Sequence, residues 1–192
     1  MDQRLPKVFA AIDLANSKDP VASGPRSRAV RYGERMTEVL DEFEAAASKE
    51  LQIAARAQHI ERWVIPRETY DEGRIGYLKW RKDLQHHHAR RMAEIMAPLG
   101  YTESEIARVG SLLHKERLKF DAEVQGLEDV ICLVFLEYEA PEFIAKHPDD
   151  KVRDILAKTA KKMSPKGLAE AGKLQLDERL SHLLTEALAT PP

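Results

Sequence analysis

The chain has 192 residues, of which 43% are apolar, so it suits one domain with a substantial core. Thirty basic and 32 acidic residues leave a net charge of −2, which argues against a general nucleic-acid binder. A single cysteine, Cys132, excludes a disulfide framework and a cysteine-based zinc cluster, and the chain shows no apolar run of membrane-span length and no secretory signal. We therefore expect a cytoplasmic protein without a membrane partner.

Helical periodicity predicts helices along nearly the whole chain, and no segment has the alternating pattern of a strand. After a first helix around residues 8–15 and a loop over 16–26, apolar residues recur at i, i+3 and i+4. These segments span about 28–47, 49–64, 77–99, 103–118, 123–138, 141–146, 149–163 and 177–189. Pro66 ends the third helix because proline has no amide hydrogen to donate.

Several helix ends carry capping signals. Gly100 follows the fourth helix, where a left-handed residue closes a helix. Thr102 begins a capping box with Glu105. Ser164 followed by Pro165 predicts the cap and first turn of one more short helix.

The predicted class is therefore all-α, as a single compact bundle of many helices. The whole chain, 1–192, is expected to form one domain. Its core covers about 28–140, with the C-terminal helices of about 141–190 packing on it. The sixth helix is apolar on most sides, which predicts a position at the centre of the fold.

Three histidines and one aspartate fall on successive predicted helices: His59, His88, His114 and Asp129. Three imidazoles and a carboxylate are ligands that suit Zn²⁺, Fe²⁺, Mn²⁺ or Ni²⁺. Asp129 lies in an apolar helix, and a buried carboxylate requires a partner. The alternative is a structural one, in which Glu128 and Asp129 reach water or an arginine.

His86, His87 and His88 are consecutive on a predicted helix. Neighbouring side chains point about 100° apart on a helix. At most one or two of these three histidines therefore face any one site.

Basic and aromatic residues cluster just after these histidines. The residues predicted to hold an anion are Arg62, Trp63, Arg67, Arg81 and Lys115. Arginine binds phosphate or carboxylate oxygens in bidentate geometry. The alternative is a solvated charged face, balanced by nearby acidic residues.

Several stretches together resemble an uncharacterised family, domain of unknown function 4202. They cover most of the chain in order and include residues 10–13, 34–37, 54–60, 76–78, 127–130 and 162–165. The resemblance implies no activity.

The same residues remotely resemble the HD-domain superfamily of all-helical, metal-dependent phosphohydrolases. His59 resembles the histidine of its His-Asp pair, although Ile60 stands at the aspartate position. Glu34 is the nearest candidate for the missing first-helix histidine. The ligands that this resemblance implies are Glu34, His59, His88, His114 and Asp129.

The expected function is hydrolysis of a nucleotide or a similar small phosphorylated anion by one or two divalent ions, Zn, Mn, Fe or Ni. Such an ion activates water and polarises the phosphoryl oxygen, with Glu61 or Glu128 as general base. One alternative is a non-catalytic helical module that binds a nucleotide, RNA or a protein partner. A further alternative is an HD-like di-iron oxygenase. A homo-oligomer is compatible with each of these.

Overall fold

The computed structural model describes residues 3–189, and this part of the chain is predominantly helical. The all-α prediction is thereby confirmed. The helices are α1 Arg4–Asn16, α2 Arg28–Phe43, α3 Lys49–Arg56, α4 Gly73–Met96, α5 Glu103–His114, α6 Ala122–Val134, α7 Ala140–Lys146, α8 Asp149–Ala160, α9 Pro165–Ala171 and α10 Glu178–Ala189. Short 3₁₀ turns cover Arg62–Val64, Arg67–Thr69 and Ala97–Leu99, and a π-helical turn covers Phe135–Glu139.

A small hairpin, β1 Ala22–Ser23 paired antiparallel with β2 Arg26–Ser27, corrects the expectation of no strand. Each strand has only two residues, which is too short for an alternating apolar pattern to show in the sequence. Gly24 supplies the left-handed backbone of its turn, with φ of 65°.

The contacts divide the chain into two compact units, Met1–Val124 and Gln125–Pro192. In the first unit α4 packs along α5, and α3 contacts α1, α2 and α5. Its core consists of fully buried aliphatic side chains, among them Ile12, Leu40, Ile53, Met92 and Leu112. Removal of these side chains from water is the main favourable term that holds the helices together.

In the second unit α8 packs against α10, and α7 contacts both of them. Its buried side chains include Val152, Leu156, Leu180 and Leu183. A cavity of about 160 Å³ lies between the helices and is lined largely by apolar residues such as Met163 and Leu168.

The predicted caps are confirmed. Gly100 adopts a left-handed φ of 80° after the 3₁₀ turn that extends α4. The Thr102 side chain accepts from the Glu105 amide, and the Glu105 side chain accepts from the Thr102 amide, as in a capping box. Ser164 accepts from the Gly167 amide and caps α9.

Two of the helix ends that differ from the predictions affect the site. α3 ends at Arg56, so His59 lies in a turn and not on a helix. The same turn contains Glu61, which adopts a left-handed conformation. α5 ends at His114, because Lys115 adopts the left-handed C-cap conformation. Apolar periodicity continues past both ends in the sequence, which is why the predicted helices were too long.

Among the helices of residues 3–189, none has both the length and the apolar character that a membrane span requires.

Candidate functional site

The His59 ring stacks on the ring of Tyr32 from α2, with centroids 3.7 Å apart and planes 17° from parallel. The turn that carries His59 is tied to α1, because the Glu61 amide donates to Asn16 Oδ1 at 2.9 Å. Asn16 is itself buried. These contacts hold the imidazole in one orientation.

Basic groups from three segments converge around this ring. Burial lowers the pKa of His59 well below its ordinary value, and the neighbouring basic groups lower it further: Arg62, His88, Lys115 and Arg81. Arg62 follows α3, Arg81 and His88 lie on α4, and Lys115 follows α5. We call His59, Arg62, Arg81, His88 and Lys115 the basic cluster. At neutral pH its imidazoles are uncharged, and it carries the positive charge of its arginines and lysine.

Aromatic side chains position both arginines of the basic cluster. The Arg62 guanidinium lies over the Trp80 ring, 4.5 Å from its centroid. Trp80 is fixed in turn, since its Nε1 donates to the Ile65 carbonyl at 2.8 Å. Arg81 lies near the Tyr77 ring, 5.9 Å from its centroid. Cation–π contacts of this kind orient a guanidinium.

Of the three consecutive histidines, His88 faces inward and is only 3% exposed. It hydrogen-bonds to the Ile60 backbone, and burial lowers the pKa of His88 to about 3, with the neighbouring His87 and Arg62 acting in the same direction. Its Nδ1 has no hydrogen-bond partner among the described residues. His87 instead lies 3.7 Å from Glu61, and His86 packs edge-on against His114, with centroids 5.1 Å apart.

Acid is expected to destabilise the protein through these buried imidazoles. In the unfolded chain a histidine takes up a proton near pH 6.5, whereas folded His88 does so only near pH 3. Unfolding is therefore favoured as the pH falls below about 6.5, by up to about 1.4 kcal/mol per pH unit for one histidine, and the effect is absent above that pH. Urea unfolding at a series of pH values measures this slope. His88→Gln should reduce the slope between pH 6 and 5. His182→Gln is the control and should leave the slope unchanged, because the His182 side chain is exposed. Equal slopes in the wild-type protein and both variants would contradict the burial of His88.

The loop after α5 brings Lys115 into the basic cluster. Lys115, Arg117 and Lys119 all adopt positive φ, between 57° and 77°. The Lys115 and Glu116 amides donate back to the carbonyls of Leu112 and Ser111 and close the helix. A left-handed non-glycine residue costs roughly 1–2 kcal/mol, so the packing of the first unit must stabilise this loop.

The five predicted metal ligands divide between the two units. Glu34 pairs with Arg26 at 2.8 Å and with Arg31 at 3.3 Å, and Asp129 belongs to the C-terminal unit while the histidines belong to the N-terminal one. Within residues 3–189 there is no group of three or more His, Cys, Asp or Glu side chains that could hold a metal ion. The metal site that the sequence predicted therefore stays a prediction.

Asp129 is buried, as the sequence predicted, and its hydrogen-bond partner is Ser164. One carboxylate oxygen accepts the Ser164 amide at 2.7 Å and the other accepts the Ser164 hydroxyl at 2.5 Å. Gln125 Nε2 donates to the same carboxylate at 3.2 Å. Together, Asp129 and Ser164 determine where α9 begins.

The two predicted general bases have different surroundings. Glu61 accepts from Arg91 Nε at 2.9 Å, so its carboxylate is held in an ion pair next to the basic cluster. Glu128 is 3% exposed and lies 3.8 Å from Lys162 Nζ in the C-terminal unit. Glu61 therefore lies in the same unit as the basic cluster, and Glu128 lies in the other unit.

Two further residues were predicted to bind an anion, Arg67 and Trp63. Arg67 donates to the carbonyls of Tyr70 and Asp71 at 3.0 and 2.9 Å, so it holds the loop before α4. Trp63 is half-buried in the 3₁₀ turn Arg62–Val64. The structure also places Tyr32 and Asn16 at the site. The sequence did not single out Tyr32, because an aromatic residue on the apolar face of α2 is expected in a core. It did not single out Asn16, because asparagine is common in loops and Asn16 stood in a predicted loop.

An ion pair next to the site joins α3 to α1. Arg56, the last residue of α3, forms a bidentate ion pair with Asp13 of α1, with N–O distances of 2.9 and 2.6 Å. The pair joins the end of α3 to α1 just before the turn that carries His59.

These features define the chain as an all-α protein with a basic cluster around a buried, uncharged histidine. It belongs to the family described as domain of unknown function (DUF4202), whose family model matches residues 6–184. No curated protein and no solved structure matches the chain. The resemblance to the unknown-function family is thereby confirmed, and the HD-domain resemblance stays a prediction.

Proposed function

We propose that the basic cluster binds the phosphate group of a small phosphorylated molecule, such as a nucleotide. The observation that carries the proposal is the convergence of Arg62, Arg81 and Lys115 on the ring of His59 from three separate segments. A phosphate near His59 would be attracted by the positive charge of all three residues. Perturbed pKa values in such a cluster are typical of functional sites.

The residues of the cluster have complementary roles in this proposal. The planar guanidinium groups of Arg62 and Arg81 suit bidentate hydrogen bonds to phosphate oxygens, and Lys115 adds a compact positive charge. The uncharged His59 ring can donate one hydrogen bond or accept a proton. Its stacking on Tyr32 and the contact of Arg62 with Trp80 orient the donors before the ligand arrives.

Binding of ADP and of inorganic pyrophosphate, measured by calorimetry, tests the proposal. We expect both to bind, and we expect Arg62→Ala to weaken binding by about 10- to 100-fold, as loss of a charged hydrogen bond does. Arg74→Ala is the matched control, since Arg74 is an exposed arginine outside the basic cluster. Neither ligand binding, or equal weakening by both substitutions, would refute the proposal.

Hydrolysis of the bound ester by a divalent metal stays a prediction. The oxygenase alternative and a cytoplasmic location stay predictions as well. Elemental analysis of protein purified without chelator tests the metal directly. No stoichiometric metal, together with normal folding of His59→Ala, would rule out the metal-dependent enzyme. Phosphate binding without turnover would instead favour the non-catalytic module.

A further inference from the structure

Two histidines outside the basic cluster meet where α4 packs along α5. His86 is an exposed residue of α4, and the half-buried His114 is the last residue of α5. Their ring centroids lie 5.1 Å apart and their planes are inclined at 78°. Among the described residues, no hydrogen bond or ion pair joins either imidazole to another group. The ring nitrogens of both side chains therefore remain open to a ligand.

The packing of the two helices holds these side chains next to each other. Ala89 of α4 faces Gly110 of α5, where a Cβ on the glycine would lie 3.9 Å from the Ala89 methyl group. The distance between two packed helices depends on the side chains at their contact, and these two residues are small. His86 lies one turn before Ala89, and His114 lies one turn after Gly110. The spacing of the two histidines is thus set by a close contact between rigid helices.

The separation of the two rings suits a shared metal ion. An ion about 2.1 Å from one nitrogen of each ring, at the tetrahedral angle, holds the two ring centres about 5 Å apart. The observed 5.1 Å agrees with this requirement, and the exposed His86 side chain can turn to direct a nitrogen at the ion. Two protein ligands leave the other positions of a tetrahedral ion to water. Such a site needs no third ligand, and residues 3–189 contain no group of three.

The surroundings of His114 favour the protonation state that a metal ligand requires. Burial lowers the pKa of His114, the neighbouring His86 acts in the same direction, and the Glu116 carboxylate opposes both. The imidazole is therefore largely uncharged at pH 7, as a histidine must be to coordinate a metal. The Glu116 carboxylate in addition attracts a cation.

Basic side chains near the pair restrict which kind of ion fits. Lys82 and Arg90 lie one turn to either side of His86 and are exposed, and Arg90 Nη2 lies 3.3 Å from His87 Nδ1. Lys115 follows His114 and belongs to the basic cluster. Repulsion of a cation by exposed charges is screened by salt, but it disfavours an ion held by oxygen ligands and charge, such as Mg²⁺ or Ca²⁺. Zn²⁺, Cu²⁺ and Ni²⁺ instead form short bonds to neutral imidazoles.

We propose that His86 and His114 together bind one divalent transition-metal ion of the kind that imidazole prefers, such as Zn²⁺, between α4 and α5. The sequence had grouped His114 with His59, His88 and Asp129, whereas the structure places His86 beside it. An ion at this position joins the end of α5 to α4 and stabilises the folded protein. The inference is independent of the proposed phosphate binding, because neither histidine belongs to the basic cluster.

Calorimetric titration of the tag-free full chain with ZnCl₂, after a chelator has been applied and removed, tests the proposal. We expect His86→Ala and His114→Ala each to raise the dissociation constant at least about 10-fold, because even loss of a group that only orients a metal ligand costs that much. His87→Ala is the matched control and should leave the dissociation constant unchanged. His87 belongs to the same run of histidines, but it lies next to Glu61.

The double variant His86→Ala with His114→Ala tests whether the two residues share one ion. Its loss of binding free energy should be smaller than the sum of the two single losses, because residues that act on one ligand are not additive. Zn²⁺ should also raise the midpoint of thermal unfolding of the wild-type protein and of His87→Ala, and it should leave that of His86→Ala unchanged. Circular dichroism verifies the fold of each variant, and exposed His86 can be replaced without disturbing the core.

Three results would overturn the proposal. The first is a protein that does not bind Zn²⁺, and the second is equal affinity of the wild-type protein and His86→Ala; both leave the phosphate binding untouched. The third is an affinity that is lost in His59→Ala and retained in His86→Ala, which would place the ion at the ligands that the sequence predicted.

Discussion

Replacement of Asp129 by alanine is expected to lower the free energy of unfolding by about 3 kcal/mol. The Asp129 carboxylate is 1% exposed and accepts both the amide and the hydroxyl of Ser164. Alanine removes these acceptors and leaves the Ser164 amide without its partner at the start of α9. The Ser164 hydroxyl, which also caps α9 through Gly167, loses its orientation.

Urea unfolding followed by far-UV circular dichroism measures this loss. Asp154→Ala is the control in the same unit: Asp154 makes an exposed pair with Lys158, and such pairs contribute less than about 1 kcal/mol. Asp129→Asn should fall between the two, because the amide oxygen still accepts one hydrogen bond. If Asp129→Ala left stability unchanged and removed a bound metal, Asp129 would be a ligand and not a structural partner of Ser164.

Gly76→Ala is expected to cost about 3 kcal/mol, at the upper end of the range for overpacking a closely packed site. A Cβ at Gly76 would lie 1.9 Å from the Asp71 carbonyl oxygen. The loop before α4 must then move, and Arg67 would lose its hydrogen bonds to the carbonyls of Tyr70 and Asp71.

Gly110→Ala gives a matched control in a neighbouring helix. A Cβ at Gly110 would meet only the Ala89 methyl group, at 3.9 Å, which is ordinary contact. Alanine favours helix over glycine by about 0.5–1 kcal/mol, so we expect Gly110→Ala to be neutral or stabilising. A comparable loss in both variants would mean that the Asp71 carbonyl is not the obstacle at Gly76.

The basic cluster shows which site residues can be predicted from the pattern of residues alone. The sequence predicted that Arg62, Arg81 and Lys115 accompany His59, and the structure brings these residues together. Each of these residues closely follows or lies within a helix whose apolar face was evident in the sequence, so its approximate position could be predicted. Arg67 has the same side-chain chemistry as Arg62 and Arg81, but its guanidinium donates to backbone carbonyls of the loop before α4. No sequence pattern encodes that choice.

The metal prediction assumed that each ligand lies on the inward face of a helix. Which face a residue occupies can be predicted only if the residue lies within the helix, so the prediction is sensitive to where each helix ends. His59 was assigned to a helix, but α3 ends three residues earlier, at Arg56. Asp129 was correctly predicted to be buried with a partner. That partner is a serine 35 residues later, and a single sequence offers no rule that pairs two such distant positions.

The sequence by itself determined the all-α class and the caps at Thr102 and Ser164, because these depend on interactions within a few residues. Only the tertiary structure decided how charged groups pair. Asp13 with Arg56 and Asp129 with Ser164 are joined across 43 and 35 residues. Such pairs exist because folding removes polar groups from water and each then requires a partner. Which partner it meets depends on the packing of helices that are remote in sequence.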